Sequence, residues 1–160
     1  MKTDLDPRIL REQFILAMEQ VPTMQATSLV VAGVLAYVVR NAVPRTDVFA
    51  WLLMILVVVT GRILLCVGFR RHENRSAFNG EHWRNGYLVL AFVSGMTWGL
   101  SAFMIFPAGR PELISLFVLV MASLSAATTI SHSSIRFGPA AWSVPAMLFY
   151  AGRCFQERSE

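Results

Sequence analysis

The chain has 160 residues, of which 55% are hydrophobic and only 15% charged, and its mean hydropathy is +0.53. Because soluble domains have roughly 25% charged residues, this composition excludes a cytosolic enzyme, an intrinsically disordered segment and a disulfide-stapled secreted module. The net charge is +4, but the cations are dispersed and form no basic stripe interleaved with aromatic residues. We therefore set nucleic acid aside and expect a polytopic membrane protein whose charges meet anionic lipid headgroups.

The first 22 residues are predicted to form an amphipathic helix at the membrane interface. Acidic residues from Asp4 to Glu19 precede the first apolar run, which is the wrong order for a cleavable signal peptide. Asp6 followed by Pro7 is typical of a helix N-cap with proline at the first helical position. The apolar face of this surface helix would consist of Leu10, Phe14, Ala17, Met18 and Val21. The alternative is a frayed extension that does not lie on the membrane.

Five apolar segments then predict five transmembrane helices, at 20–39, 48–69, 85–109, 113–135 and 137–152. Since about 20 residues are needed to cross the bilayer, the first and fifth segments are short. The fifth also contains Pro139 and Pro145, which kink a helix within a bundle rather than end it; a re-entrant segment is the alternative. The predicted fold is an all-α transmembrane bundle, organised as an interfacial helix at 1–22, a five-span domain at 23–155 and a polar tail at 156–160.

The distribution of arginines predicts how the bundle is oriented. Eight cations fall on the side of the loop that contains Arg70 and Arg71, and five fall on the other side. Because positively charged loops stay in the cytoplasm, we expect a cytoplasmic N-terminus and a periplasmic C-terminus in a bacterial inner membrane. This topology places Cys66 and Cys154 on opposite faces, so no disulfide between them is expected, and two cysteines with this spacing suggest no metal site.

Two ionisable residues, Arg62 and His132, fall inside the predicted spans, where burying a charge is costly. Arg62 lies roughly 10 Å from the cytoplasmic end of its span, and hydroxyl groups of the third and fourth spans lie at similar depth. We predict a pocket for a carboxylate or other anionic head whose apolar tail lies among the helices. Its predicted members are Arg62, Ser94, Thr97, Trp98, Thr128 and Thr129. The alternative is that Arg62 snorkels and marks an early end of the second span.

His132 lies in a run of serines at the predicted cytoplasmic end of the fourth span. Histidine titrates near neutral pH, which makes His132 a candidate for pH sensing. The alternative, which we favour from the sequence, is a hydrated side chain at the membrane interface.

Small residues and tryptophans provide two packing predictions. Gly95 and Gly99 form a small-xxx-small pattern that permits close helix approach, and Ala122 and Ala126 repeat it. We expect the third span to pack on the fourth, with a homodimer as the alternative. The tryptophans and tyrosines include several near predicted span boundaries, as expected of interfacial anchors; the residues considered are Trp51, Trp83, Trp98, Trp142, Tyr37, Tyr87 and Tyr150.

Motifs for catalysis are missing from the sequence. No carboxylate lies inside any predicted span, which argues against a proton relay or a cation-coupled carrier. There is no Gly-x-Ser-x-Gly, His-Glu-x-x-His or P-loop motif. We therefore expect no enzymatic activity, no catalytic residue, no metal and no cofactor.

The order of features resembles the N-terminal membrane input modules of bacterial diguanylate cyclases, phosphodiesterases and sensor histidine kinases. The resemblance covers most of the chain and consists of pattern and order rather than a catalytic signature. The features that carry it are Asp6-Pro-Arg-Ile-Leu-Arg-Glu-Gln-Phe, Asn41-Ala-Val-Pro44, the span that leaves at Arg70-Arg71, the Trp83-Arg84 entry, Gly95-Met-Thr-Trp-Gly99, Phe106-Pro107 and Phe137-Gly-Pro-Ala-Ala-Trp.

This resemblance implies a sensory or regulatory input module that detects a membrane-soluble ligand or a lipid state. Such modules usually have six spans before an output domain, whereas five are predicted here, so the chain is expected to be a fragment or a shortened relative. A small oligomeric transporter or channel component is the alternative function, and flux of ions in liposomes would distinguish it.

Overall fold

The structure, a computed structural model, describes residues 7–72, 80–107, 109–133, 135 and 137–159. These residues form five α-helices and contain no β-strand, which confirms the all-α prediction. The helices are α1 (Pro7–Val39), α2 (Arg45–His72), α3 (Gly80–Met104), α4 (Pro111–Ser131) and α5 (Gly138–Ser159).

Four of these helices are long and apolar enough to cross a membrane. Their apolar segments are Phe14–Val39, Arg45–Arg71, Gly80–Met104 and Pro111–Ile130. Large aliphatic side chains such as Val30, Leu64 and Leu119 point outward from the bundle. A protein that spans a bilayer needs helices whose backbone N–H and C=O groups are hydrogen-bonded and whose outer surface is apolar. The chain thus has the helices of a polytopic membrane protein, while α5 is not among the four and the count of five spans stays a prediction.

The predicted interfacial helix and the first span form one continuous helix, α1, which contains Pro22 without a break. Its apolar face packs inside the bundle, since Phe14 stacks on Phe69 of α2 and meets Tyr87 of α3 edge-on. Protein therefore covers Phe14, Ala17, Met18 and Val21 of this face, and the side chain of Leu10 lies outside the described residues. Whether residues 1–22 lie at the interface stays a prediction, and Asp6, the predicted N-cap, lies outside the described residues. At the other end of the chain, α5 continues through residues 156–159 of the predicted polar tail.

Two hydrophobic clusters fill the interior of the bundle. The Trp51 cluster combines the end of α1 and the start of α2 with α3, α4 and α5, around Trp51, Phe117 and Trp142. The Phe14 cluster combines the start of α1 with the end of α2, around Phe14 and Phe69. Between these clusters lie buried polar residues of α1, α2, α3 and the end of α4, which we call the polar layer: Gln25, Arg62, Ser94, Thr128 and His132.

Most of the aromatic residues expected at the membrane interface lie in the core instead. Five of the seven are buried, so those of them that lie near a predicted boundary are not exposed anchors: Trp51, Trp98, Trp142, Tyr87 and Tyr150. An aromatic ring adds a large apolar area to a contact between helices, and in this bundle the buried rings lie in such contacts. Tyr37 is exposed, with the Arg40 guanidinium 3.9 Å above its ring, as expected of an anchor.

The glycines of α3 pack against α5, and the prediction that they pack against α4 is wrong. A Cβ at Gly95 would overlap the carbonyl oxygen of Trp142, and one at Gly99 would lie 3.0 Å from Phe149. Ala122 and Ala126, the corresponding small residues of α4, are exposed at the surface of the bundle. The close approach that glycine permits is therefore used between α3 and α5.

Candidate functional site

Arg62 lies in the interior of the bundle with only 5% of its surface exposed. Its Nη2 atom donates a hydrogen bond to Nε2 of His132 over 2.8 Å, and its Cζ atom lies 5.5 Å from the centroid of the Tyr87 ring. Because α2 continues to His72, Arg62 neither ends the helix nor snorkels to its end. The guanidinium is held inside by contacts from α3 and from the residue that follows α4.

His132 is fully buried at the C-cap of α4, so the interpretation as a hydrated interfacial side chain is wrong. Its Nδ1 atom lies 3.0 Å from the carbonyl oxygen of Thr128, which accepts only if Nδ1 carries the proton. Nε2 then has a lone pair to accept the hydrogen bond from Arg62. The two contacts fix one neutral tautomer of the imidazole, which orients the guanidinium. Its role in pH sensing stays a prediction.

A cavity of about 230 Å³ lies beside Arg62. All five helices contribute to its wall, with α1 and α4 supplying most of the residues. The described residues that line it are Thr23, Met24, Gln25, Thr27, Ser28, Arg62, Ser94, Trp98, Leu124, Ala127, Thr128 and Trp142. We call this cavity the Arg62 pocket. Four of the six residues predicted as a ligand-binding layer are in it.

The other two predicted members, Thr97 and Thr129, are not among the residues that line the pocket. The Thr97 hydroxyl donates to the carbonyl of Val93, and its own carbonyl accepts a hydrogen bond from the Trp51 indole. Thr129 is exposed, and its hydroxyl donates to the carbonyl of Ser125. Each is adjacent in sequence to a residue that does line the pocket. Neighbouring residues of an α-helix point about 100° apart, so depth alone did not identify the correct face.

Sequence reasoning missed the contribution of α1 to the pocket. Gln25 has 4% of its surface exposed, and among the described residues its side-chain amide has no hydrogen-bond partner. Thr23, Thr27 and Ser28 line the same wall. The sequence does contain four polar residues within positions 23–28 of an otherwise apolar segment, which could have indicated a polar wall on α1. None of the four is charged, so they were not selected.

Hydrogen bonds hold several walls of the pocket in place. The Trp142 indole donates to the hydroxyl of Ser94 over 3.2 Å, which ties α5 to α3. The Thr128 hydroxyl donates to the carbonyl of Ser125 over 2.9 Å. Trp98 is packed edge-on against Trp51, with ring centroids 5.4 Å apart. These contacts make the α3 and α5 walls rigid, whereas the side chains of α1 have no such links to the rest of the pocket.

The pocket is electrostatically positive and rich in hydrogen-bond donors. Arg62 supplies a charge, and no acidic side chain is among the described residues that line the cavity. The described part of the chain also contains no group of His, Cys, Asp or Glu residues suited to hold a metal ion. A guanidinium beside an amide and hydroxyl groups can bind an anion, with Trp98 and Trp142 as apolar walls.

The sequence and the structure were compared with known proteins. No family model, no curated protein and no solved structure matches the chain.

Proposed function

We propose that this chain is a membrane-embedded sensory or regulatory input module of a bacterial signalling protein. It binds a membrane-soluble ligand, or responds to the state of the lipids, at the Arg62 pocket and passes on a change in helix packing. The observation that supports this proposal is a buried guanidinium that has a neutral partner, His132, and an adjacent cavity between helices. A buried charge is costly unless an opposite charge compensates it, so Arg62 favours an anionic ligand.

The helix contacts suggest which part of the bundle responds to the ligand. α3 contacts α5 extensively, whereas α1 and α4 have few direct contacts and both line the pocket. A ligand changes an equilibrium between two packings only if it binds one of them more tightly. Arg62 of α2 is hydrogen-bonded to His132 at the C-cap of α4. A ligand that joins the α1 wall to Arg62 would therefore favour the packing in which α1 lies close to α4. Movement of α1 and α4 relative to the fixed α3–α5 pair is the proposed signal.

The proposed placement follows the distribution of arginines. The module lies in the bacterial inner membrane with the N-terminus and the Arg70–Arg71 loop in the cytoplasm. α5 is the proposed fifth span, which takes the C-terminus to the periplasm. In this orientation the Arg62 pocket lies towards the cytoplasmic side of the bilayer centre.

Distances between spin labels test the proposed change in packing. One label pair replaces Val30 of α1 and Leu119 of α4, and a reference pair replaces Val89 of α3 and Val144 of α5; all four side chains are exposed. The labelled chain is placed in nanodiscs of synthetic phosphatidylcholine, with or without a solvent extract of bacterial inner membranes. We expect the extract to change the Val30–Leu119 distances and to leave the reference pair unchanged.

The proposal fails if both label pairs give the same distances in every bilayer. The native Cys66 and Cys154 are replaced by serine or alanine first, because both are free thiols that would take the label. A matched variant, Arg62→Gln, carries the same labels and is expected to lose the response to the extract.

A further inference from the structure

We infer that the ligand of the Arg62 pocket is a single-chain amphiphile with a carboxylate head, which enters from the bilayer between α1 and α4. This inference depends on the proposed function only in taking the pocket as a ligand site. It adds the chemical class of the ligand, the residues that hold its head and the route by which it enters.

The polar groups around the pocket favour a carboxylate head. A guanidinium has five N–H donors in a planar fork that matches the two oxygens of a carboxylate, and Arg62 gives one donor to His132. The amide of Gln25 has no partner among the described residues and supplies a further donor in the same wall. The Ser94 hydroxyl accepts from Trp142, which leaves its own proton available to donate. Donors from three helices, Gln25 of α1, Arg62 of α2 and Ser94 of α3, thus line the pocket that would hold the head.

The opening of the pocket indicates that the ligand arrives from lipid. Of the residues in its wall, Thr23 and Thr27 of α1 and Ala127 of α4 are exposed on the outside of the bundle. Residues 23–28 lie at the centre of the apolar segment Phe14–Val39, far from either end of the helix. An opening at that depth faces hydrocarbon chains, so a ligand that enters between α1 and α4 must be soluble in the bilayer.

The size and depth of the pocket favour a simple acid over a two-chain phospholipid. Ligand pockets that enclose a whole small molecule have volumes of about 300–1,000 Å³, whereas this one has about 230 Å³. It therefore holds a head and the first part of a chain, and the rest of the chain extends into lipid. Carboxylic acids become neutral near pH 4, so a small neutral fraction carries them through hydrocarbon, whereas a phosphate keeps its charge.

Quenching of tryptophan fluorescence by spin-labelled fatty acids tests this inference. Trp98 and Trp142 line the pocket, so a nitroxide close to the head of a bound acid will quench them. The whole chain in phosphatidylcholine nanodiscs is titrated with 5-doxylstearate, with its methyl ester and with 16-doxylstearate. We expect saturable quenching by 5-doxylstearate, weaker quenching by 16-doxylstearate, reversal by palmitate and no saturable quenching by the uncharged ester.

Two variants identify the residues that hold the head. Arg62→Gln is expected to weaken binding of 5-doxylstearate about tenfold or more, since a charge-assisted hydrogen bond is lost. Gln25→Leu keeps the charge and is expected to weaken binding less, which gives a second test if the Arg62 variant does not fold. Arg40→Gln and Gln20→Leu are matched controls at exposed positions, and their affinity should equal that of the unmodified chain.

The inference is overturned if the methyl ester binds as tightly as the acid, or if Arg62→Gln and Gln25→Leu both retain full affinity. Reversal by acetate as effective as by palmitate would also overturn it, because the site would then take an anion without a tail. The outcome is separable from that of the proposed function. Spin-label distances that respond to the lipid extract without fatty-acid binding refute the inference alone, and fatty-acid binding without any change of distance refutes only the sensory role.

Discussion

The contact between α3 and α5 differs in every respect from the contact between α1 and α4. Gly95 and Gly99 let the backbones of α3 and α5 approach closely, and two hydrogen bonds join the helices. Trp142 donates to Ser94, and Tyr150 donates to Ser101, whose own proton goes to the Trp98 carbonyl. α1 and α4 instead border a cavity, and Gln25, a buried polar side chain of α1, has no hydrogen-bond partner among the described residues.

This difference shows how one bundle can combine a fixed part with a responsive part. In lipid, helices associate through close packing and hydrogen bonds rather than through the hydrophobic effect, so the α3–α5 pair has both sources of stability. The α1–α4 contact has neither at the pocket. We therefore expect substitutions between α3 and α5 to change stability, and substitutions in the pocket to change ligand binding.

Gly95→Leu is expected to have the largest effect on stability. Any side chain at this position overlaps the Trp142 carbonyl and meets Pro145, so α5 must move away from α3. Overpacking a well-packed core costs about 1–3 kcal/mol and occasionally more, and we expect the upper part of that range. Thermal unfolding in detergent micelles measures the loss. Gly33→Leu is the control, because a Cβ at Gly33 meets nothing within 4 Å; equal losses in both variants would refute the close α3–α5 contact.

His132→Leu is expected to destabilise the ligand-free chain by about 1.5–3 kcal/mol, the usual effect of losing a hydrogen bond to a buried charge. The substitution leaves the Arg62 guanidinium without its acceptor. His132→Gln retains an acceptor oxygen and should recover part of the loss, and His82→Leu, at an exposed position, should cause little change. If His132→Leu unfolds at the same temperature as the unmodified chain, His132 does not hold Arg62.

The hydrogen bond between Ser101 and Tyr150 is expected to contribute about 1 kcal/mol to stability. The two oxygens lie 2.6 Å apart in the buried α3–α5 contact. Ser101→Ala and Tyr150→Phe each remove one partner, and the double variant removes both. After the first substitution the hydrogen bond is already lost, so the second substitution removes no further interaction between the two residues. The free energy of unfolding lost in the double variant should therefore be smaller than the sum of the two single losses. Additive losses would show that the two hydroxyls do not interact.

Thr129→Val is expected to change stability by less than ~0.5 kcal/mol, as for most exposed positions. It should also leave the affinity for 5-doxylstearate unchanged, since Thr129 is outside the pocket wall. Its neighbour Thr128 lines the pocket, and Thr128→Phe is expected to lower that affinity measurably, because the larger side chain would extend into the cavity. The same titration in nanodiscs compares the two. Equal effects would place the mouth of the pocket on a different face of α4.

The sequence predicted the helical class and the apolar helices because both depend on local composition and length. It identified Arg62, Ser94, Trp98 and Thr128 because counting residues from the end of each predicted span places a charge and hydroxyl groups at similar depth. It did not predict that Gly95 faces α5, since every helix presents small residues and only the tertiary arrangement pairs them.

The environment of His132 also required the structure. A histidine among serines at the end of a helix has the composition of a solvated turn, yet the turn after α4 folds inward and brings the ring to Arg62. Gln25 was missed for a related reason, because an uncharged amide inside an apolar segment changes its hydropathy very little.

The most direct test of the account is a distance between a bound carboxylate and the Arg62 side chain. Palmitate labelled with ¹³C at the carboxyl carbon is added to the ¹⁵N-arginine-labelled chain in bilayers, and solid-state NMR measures the dipolar coupling between the two nuclei. We predict a coupling that corresponds to direct contact and that disappears in Arg62→Gln while it persists in Arg40→Gln. A coupling that survives in Arg62→Gln, or no coupling in the unmodified chain, would contradict the proposal that Arg62 binds the head of a lipid-borne acid.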